Sequence, residues 1–158
     1  MNYKFLIITL IFTLSLKVNS QSRTEKQNSE WKIDREMQDY FETLQEEGYA
    51  PKFDDDNDIA FKIEGKWYYI IRPDYENSFS LLRQYKNSNG CNDEKGLQAS
   101  HHASRSARYA KAYMTSDCKN FVIRANLYNN GADVDALVIK AIQAVKYCES
   151  IFLEKYNE

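Results

Sequence analysis

The last third of the chain changes its hydrophobic period partway along, and that change restricts the fold more than any other feature. Between Asn120 and Tyr128, Phe121, Ile123, Ala125 and Leu127 alternate with Val122, Arg124, Asn126 and Tyr128. That is the two-residue repeat of a strand with one buried side. From Asp133 to Tyr156 the repeat lengthens. Val134, Leu137, Val138, Ala141, Val145, Cys148 and Phe152 form one stripe at helical spacing, and Asp133 and Asp135 suit its positive N-terminus. A one-sided strand and a one-sided helix each leave an apolar surface that another element must cover, so a layered sheet-and-helix domain follows.

The upstream segments fill in such a domain. Ile33, Met37, Phe41 and Leu44 predict a helix over Ser29 to Glu47, with Ser29 as N-cap and Gly48 as a left-handed C-cap. Pro51 to Phe53 begins extended structure, and Asp54-Asp55-Asp56-Asn57 is a turn. Ile59 to Ile63 and Lys66 to Arg72 read as a hairpin around Glu64-Gly65. A two-residue type I′ turn would force Glu64 to positive φ, so a three-residue turn with Gly65 alone in the left-handed region is expected. That register pairs Phe61 with Trp67 and Ile59 with Tyr69, and makes Ile59, Phe61, Trp67, Tyr69 and Ile71 the core side. Pro73 to Tyr85 has no clear period; a short helix around Phe79 to Leu82 is the reading it allows. Lys86 to Asp93 is a loop. Leu97 to Tyr109 is a helix whose Ala99, Ala103 and Ala107 make a small-residue stripe, and Ala110 to Thr115 is a strand. The expected fold class is α+β: a five-stranded antiparallel sheet with helices on one face, in the order α-β-β-β-α-β-β-α.

The 158 residues suit one domain, and 43% hydrophobic content is enough for a core. At the N-terminus, Lys4 precedes an apolar run from Phe5 to Leu16, and Val18-Asn19-Ser20 offers a signal-peptidase site. The expectation is a signal peptide over residues 1–20, cleaved between Ser20 and Gln21, then a flexible tail over 21–28 and a single domain over 29–158. The run is too short to cross a bilayer comfortably, so no stable membrane insertion is expected, and the protein should be exported, periplasmic or secreted. Net charge is −2, and the leader removes Lys4 and Lys17 but no acid. Nothing in that balance favours nucleic acid or anionic lipid as partner.

Several residue groups invite chemistry. Asp54 to Asp58 resembles a cation loop, but the places an EF-hand needs for Gly and Glu hold Ile59 and Gly65. His101 and His102 are adjacent on a helix and point about 100° apart, which suits exposure better than one shared metal. Cys91 and His101 lack the surroundings of a cysteine nucleophile. Of the three cysteines, Cys148 sits on the apolar stripe. Cys91 and Cys118 fall in loops that the predicted layout brings to the same end of the sheet. Cys91–Cys118 is therefore the favoured disulfide, with three free thiols or a three-cysteine metal cluster as the alternatives. Core packing is expected for Trp67 and Tyr69, whereas Tyr68, Tyr113 and Tyr128 are candidates for an open sheet face that anchors a protein partner or a second copy. No catalytic, cofactor or metal-binding residue is assigned.

The stretches EEGYAPKFDDDNDIAFKIEGKWYYIIRPD, AKAYMTSDCKNFVIRANLY and DVDALVIKAIQAVKYCESIF, in this order, resemble the YbjN-like proteins, which share the type III secretion chaperone-like fold. The similarity covers roughly Trp31 to Phe152. It implies a non-enzymatic binding or regulatory domain, often dimeric, and transfers no active residues. Many members look cytoplasmic, so the leader sets this chain apart. The expected function is thus an exported protein-binding, chaperone-like or regulatory domain. The alternatives are a small cell-envelope enzyme using Cys91 or His101 and a weak cation-binding stress protein using the acidic turn.

Overall fold

The computed structural model describes residues 31–73, 78–129, 131 and 133–158. The leader, its cleavage site at Ser20 and Gln21, the tail over 21–28 and the Ser29 cap lie outside the described residues.

Helix α1 covers 31–46. Ile33, Met37, Tyr40 and Leu44 are its buried residues, so the stripe runs through Tyr40 rather than through the partly buried Phe41. Gly48, at φ +83°, ends it. Its N–H reaches Gln45 O at 3.0 Å while Tyr49 N–H reaches Leu44 O at 2.9 Å, the paired bonds of a left-handed helix stop.

Six strands follow, interrupted by α2: β1 Lys52–Phe53, β2 Ile59–Ile63, β3 Lys66–Ile71, β4 Ser78–Lys86, then α2 Glu94–Ser106, β5 Ala110–Met114 and β6 Asn120–Tyr128. The closing helix α3 spans Val134–Asn157. The sheet order is β1-β2-β3-β4-β6-β5, antiparallel throughout. The architecture is α+β as expected, but with six strands rather than five. The extra strand is β4, in the segment read as a connection with a short helix, and it is central to the sheet. Its alternation is masked in the sequence for a physical reason. Arg83 lies on the covered side, where it meets a buried acid, and Leu82 lies on the other side.

The β2–β3 hairpin also departs from expectation. Ile63 pairs with Lys66, Phe61 with Tyr68 and Ile59 with Ile70. Glu64 (φ +52°) and Gly65 (φ +79°) are both left-handed, as a type I′ turn requires. The register is one residue away from the expected one, which exchanges the faces of β3. Tyr68 and Ile70 are buried beside Ile59, Phe61 and Ile63, while Trp67 is exposed. Burying large apolar side chains at about 1.5–3 kcal/mol each outweighs the local strain of one non-glycine residue. Glu64 is further held by Lys146 of α3 at 2.9 Å.

All three helices reach the sheet from the same side. Tyr40 of α1 meets Phe79 edge-on at 4.8 Å, and Phe152 of α3 packs on Tyr85 and Phe121 at 5.8 and 5.5 Å. Helix α2 brings Ala99 and Ala103, and its C-cap brings Ala107, all buried, as the small-residue stripe predicts. Its Gly96 lies so close to Phe121 that a Cβ there would stand 2.1 Å from the ring. Asp93 caps this helix by accepting from Gly96 N–H at 2.9 Å, so it begins three residues before Leu97.

Cys91 and Cys118 are joined by a disulfide across 27 residues, tying the entry to α2 to the β5–β6 turn. Asn87 braces the same junction, donating to Gly90 O at 2.8 Å and Cys118 O at 2.9 Å. Cys148 is a free, fully buried core residue, and burial pushes its thiol up to about 11.

Candidate functional site

Because side chains alternate along a strand, the register assigns every strand residue to one of two sheet faces. The face opposite the helices carries Trp67, Tyr69 and Ile71 from β3, Leu82 from β4, Val122 and Tyr128 from β6, and Tyr113 from β5. Exposure is 40% for Trp67, 41% for Tyr113 and 67% for Tyr128, so three large aromatic side chains meet solvent on one side. Tyr68, proposed with the other two tyrosines, does not join them. The register shift turns it inward, where it is 1% exposed, and its hydroxyl donates to Glu149 at 2.7 Å. Trp67 takes its place, a residue whose expected burial the same shift reverses.

The charge on this face is one-sided. Lys52, Lys62, Lys86 and Arg124 project from it, Lys111 shares its register but turns its ammonium to the end of α2, and none of the six strands contains Asp or Glu. The ammonium groups of Lys52 and Lys62 lie 5.0 and 4.6 Å from the Trp67 ring centre. Arg124 is held in the middle of the face: its Nε donates to Asn126 Oδ1 and its Nη2 to Ser80 Oγ, both at 2.7 Å. Ser80 Oγ in turn donates to Asn126 at 2.7 Å. Asp58, just before β2, lies near enough to feel Arg124. Its carboxylate accepts from Arg72 N–H at 2.7 Å, and burial raises its pKa. A hollow of about 440 Å³ opens beside Trp67, Tyr69, Gln84 and Lys86 and also touches Lys66 and Arg83.

The outer edge of β5 offers less to a partner than this face does. Ser104 of α2 satisfies Ala112 in both directions, donating to its carbonyl at 2.8 Å and accepting from its N–H at 2.9 Å. Lys111 Nζ donates to Ser104 O at 2.6 Å, closing the end of the same helix. An edge capped in this way resists the addition of another strand.

The remaining groups singled out in the sequence lie elsewhere. In the acidic turn, Asp54 accepts from the N–H groups of Asp56 and Asp58 at 3.1 and 3.0 Å, so part of its oxygen capacity serves the chain itself. His101 and His102 are exposed on α2 and line a shallow hollow with Arg105 and Lys155. Cys91 is in the disulfide, and in that form it presents no thiolate. Among the described residues, no group of three His, Cys, Asp or Glu side chains is placed to hold a metal ion. No described helix is long and apolar enough to cross a membrane.

One polar group escaped the sequence reading altogether. Glu149, on α3, is 4% exposed and sits against the sheet. It accepts from Tyr68 and Tyr85 hydroxyls at 2.7 and 2.5 Å, from Arg83 at 2.5 Å and from Lys66 at 3.2 Å. Burial alone would raise its pKa. The two hydroxyls, Arg83 and Lys66 outweigh that, and hold it below the ordinary value. Burial and the bond to Glu149 push Tyr68 up to about 12. Every member of this cluster answers another, so it braces α3 on the sheet. The sequence signal was available: Glu149 is a charge next to Cys148 on the apolar stripe, facing Arg83 at an inward strand position.

No family model matches the sequence, and no curated protein matches it. Solved structures do. A protein from Methanothermobacter thermautotrophicus matches with TM-score 0.58 and 11% identity, over 77% of this chain and 96% of that one. YbjN, a candidate transcription regulator from E. coli, matches with TM-score 0.56 and 13% identity, over 72% and 85%. A chain of the HopA1–SchA chaperone–effector complex matches with TM-score 0.50 and 10% identity, over 72% and 93%. The chain therefore has the YbjN-like, chaperone-type fold that its sequence pattern resembles.

Proposed function

We propose that this protein is an exported, non-enzymatic binding module that holds a protein partner on its open sheet face. One observation carries the reading: Trp67, Tyr113 and Tyr128 are exposed together on a face that the described helices leave uncovered. Exposed aromatics with a basic surround are the usual anchors of protein contacts. The fold likeness is consistent with this, since one of the matching structures is a chaperone–effector complex. Contact fits the site better than catalysis does. Glu149, Tyr68, Tyr85 and Arg83 form a buried, mutually bonded cluster, and Cys91 is in a disulfide.

Export is supported by the leader and by the Cys91–Cys118 bridge, which suits an oxidising compartment. Fractionation with N-terminal sequencing checks it: a mature chain starting at Gln21 outside the cytosol is the expected result, and an intact cytosolic chain refutes export.

A photo-crosslinking residue placed at Tyr113 or Tyr128, in the source cells, tests the binding face. Discrete protein adducts are expected from these two positions and not from Tyr147, which is 58% exposed on the helix side. Adducts from Tyr147 alone, or from none of the three, would contradict the assignment.

A further inference from the structure

The ladder register places the open face's charges in a definite order. Across the strands, Lys52 stands opposite Ala60, Ala60 opposite Tyr69, Tyr69 opposite Leu82, Leu82 opposite Arg124 and Arg124 opposite Lys111. All six positions belong to the face away from the helices. One row thus reads cation, small residue, aromatic, aliphatic, cation, cation. A second row runs beside it, pairing Lys62 with Trp67 on one side and Gln84 with Val122 and Tyr113 on the other. Strands lie about 4.8 Å apart, so the first row is roughly 24 Å long. An extended chain rising about 3.3 Å per residue covers that distance in about seven residues. Every second side chain of such a segment points at the sheet.

We propose that the partner segment is extended, crosses the strands, and presents an acidic residue at each end of a short apolar centre. This rests on the reading of the open face as a protein-binding site and adds the chemistry of what binds. The apolar centre meets Tyr69, Leu82 and the Trp67 hollow. The acids meet Lys52 and Lys62 at one end, and Arg124 at the other. Arg124 is held by Ser80 and Asn126, so its guanidinium is positioned before anything binds. Single-stranded nucleic acid fits less well. Lysine ammoniums already lie over the Trp67 ring that a base would stack on, and the chain as a whole is acidic.

The test uses the full mature chain, disulfide intact, with Trp31→Phe so that Trp67 is the sole tryptophan. Fluorescence is titrated with a capped heptapeptide, Glu-Ser-Phe-Ser-Leu-Ser-Glu, with its Glu→Gln version, and with oligothymidylate. The acidic peptide should change Trp67 emission and bind about tenfold more tightly than the amide version, with the advantage shrinking at high salt. Arg124→Gln with Lys52→Gln should remove most of that advantage, and an unfolding transition run on the same variant checks that it is folded. Equal binding of the two peptides overturns the acidic assignment while leaving a protein-binding face intact. Tighter binding of oligothymidylate than of either peptide overturns both. Concentration-dependent self-association that shields Trp67 from acrylamide would make a second copy the occupant and end the proposal. A silent Trp67 with all three probes also ends it, and the crosslinking at Tyr113 and Tyr128 then judges the binding face separately.

Discussion

The two faces of one sheet are made of alternating residues on the same strands, yet they are built for different ends. On the covered face, Phe61, Tyr68, Ile70, Phe79, Leu81 and Ile123 are at most 1% exposed, and the acid buried there, Glu149, has a partner for each of its oxygens. On the open face Trp67, Tyr113 and Tyr128 are 40%, 41% and 67% exposed, and cations stand without acids on their own strands. The covered face closes around its own charge cluster, whereas the open face leaves its largest aromatic side chains partly in water until something docks. Substitutions should therefore separate cleanly: large losses of stability on one face, losses of binding with little change in stability on the other.

The largest effect is expected at Glu149. Glu149→Leu leaves Arg83 buried without its carboxylate and should cost about 3–5 kcal/mol, a large part of the roughly 5–15 kcal/mol typical of such a domain. Adding Arg83→Met should recover part of the loss, because two matched apolar residues replace a broken pair. Urea midpoints of the two single variants and the double variant measure both numbers, and simple additivity would show that the cluster is no unit. The pH dependence has a definite sign. Glu149 is depressed in the folded state, so its contribution is complete above the unfolded carboxyl value near 4.3 and fades as pH falls toward the lower folded value. The stability gap between the parent and Glu149→Gln should accordingly narrow in acid.

Removing the Cys91–Cys118 bridge comes next, with an expected loss of about 3.5 kcal/mol for a loop of this size in the chain-entropy description. Unfolding with and without reductant measures it, and Cys148→Ala serves as the control for the third cysteine. Gly96→Ala should cost about 1–3 kcal/mol, since its methyl group runs into the Phe121 ring between α2 and the sheet. At the small end, Tyr113→Ser and Tyr128→Ser should each stay within about 0.5 kcal/mol of the parent. A loss of 2 kcal/mol at either tyrosine would mean that the open face belongs to the core.

Much of this division was legible in the sequence, and its failures share one cause. The alternation of β6, the α3 stripe, the alanine stripe of α2 and the Gly48 stop are each local patterns, and each appears as read. The Cys91–Cys118 pair is favoured by the antiparallel layout, which brings both loops to one end of the sheet, and by the place of Cys148 on the apolar stripe. What the sequence hid was polarity whose meaning is set by a distant partner. Arg83 looks exposed until Glu149, far along the chain, is placed opposite it, and so β4 read as a connection. The β2–β3 register was judged from turn strain at Glu64 alone. The competing burial of Ile63, Tyr68 and Ile70 under helices elsewhere in the chain decided it. That single slip moved Trp67 and Tyr68 to the wrong faces. The site was half visible as a result: Tyr113 and Tyr128 stand where alternation puts them, and the cationic rows needed the register.

The most direct measurement pairs stability with contact in one variant, Trp67→Ser with Tyr113→Ser and Tyr128→Ser, carrying the crosslinker at an adjacent open-face position such as Gln84. The account predicts an unfolding midpoint close to that of the parent, and a collapse in the yield of protein adducts. Adduct yield that survives the loss of all three aromatics, or a chain that no longer folds without them, would contradict it.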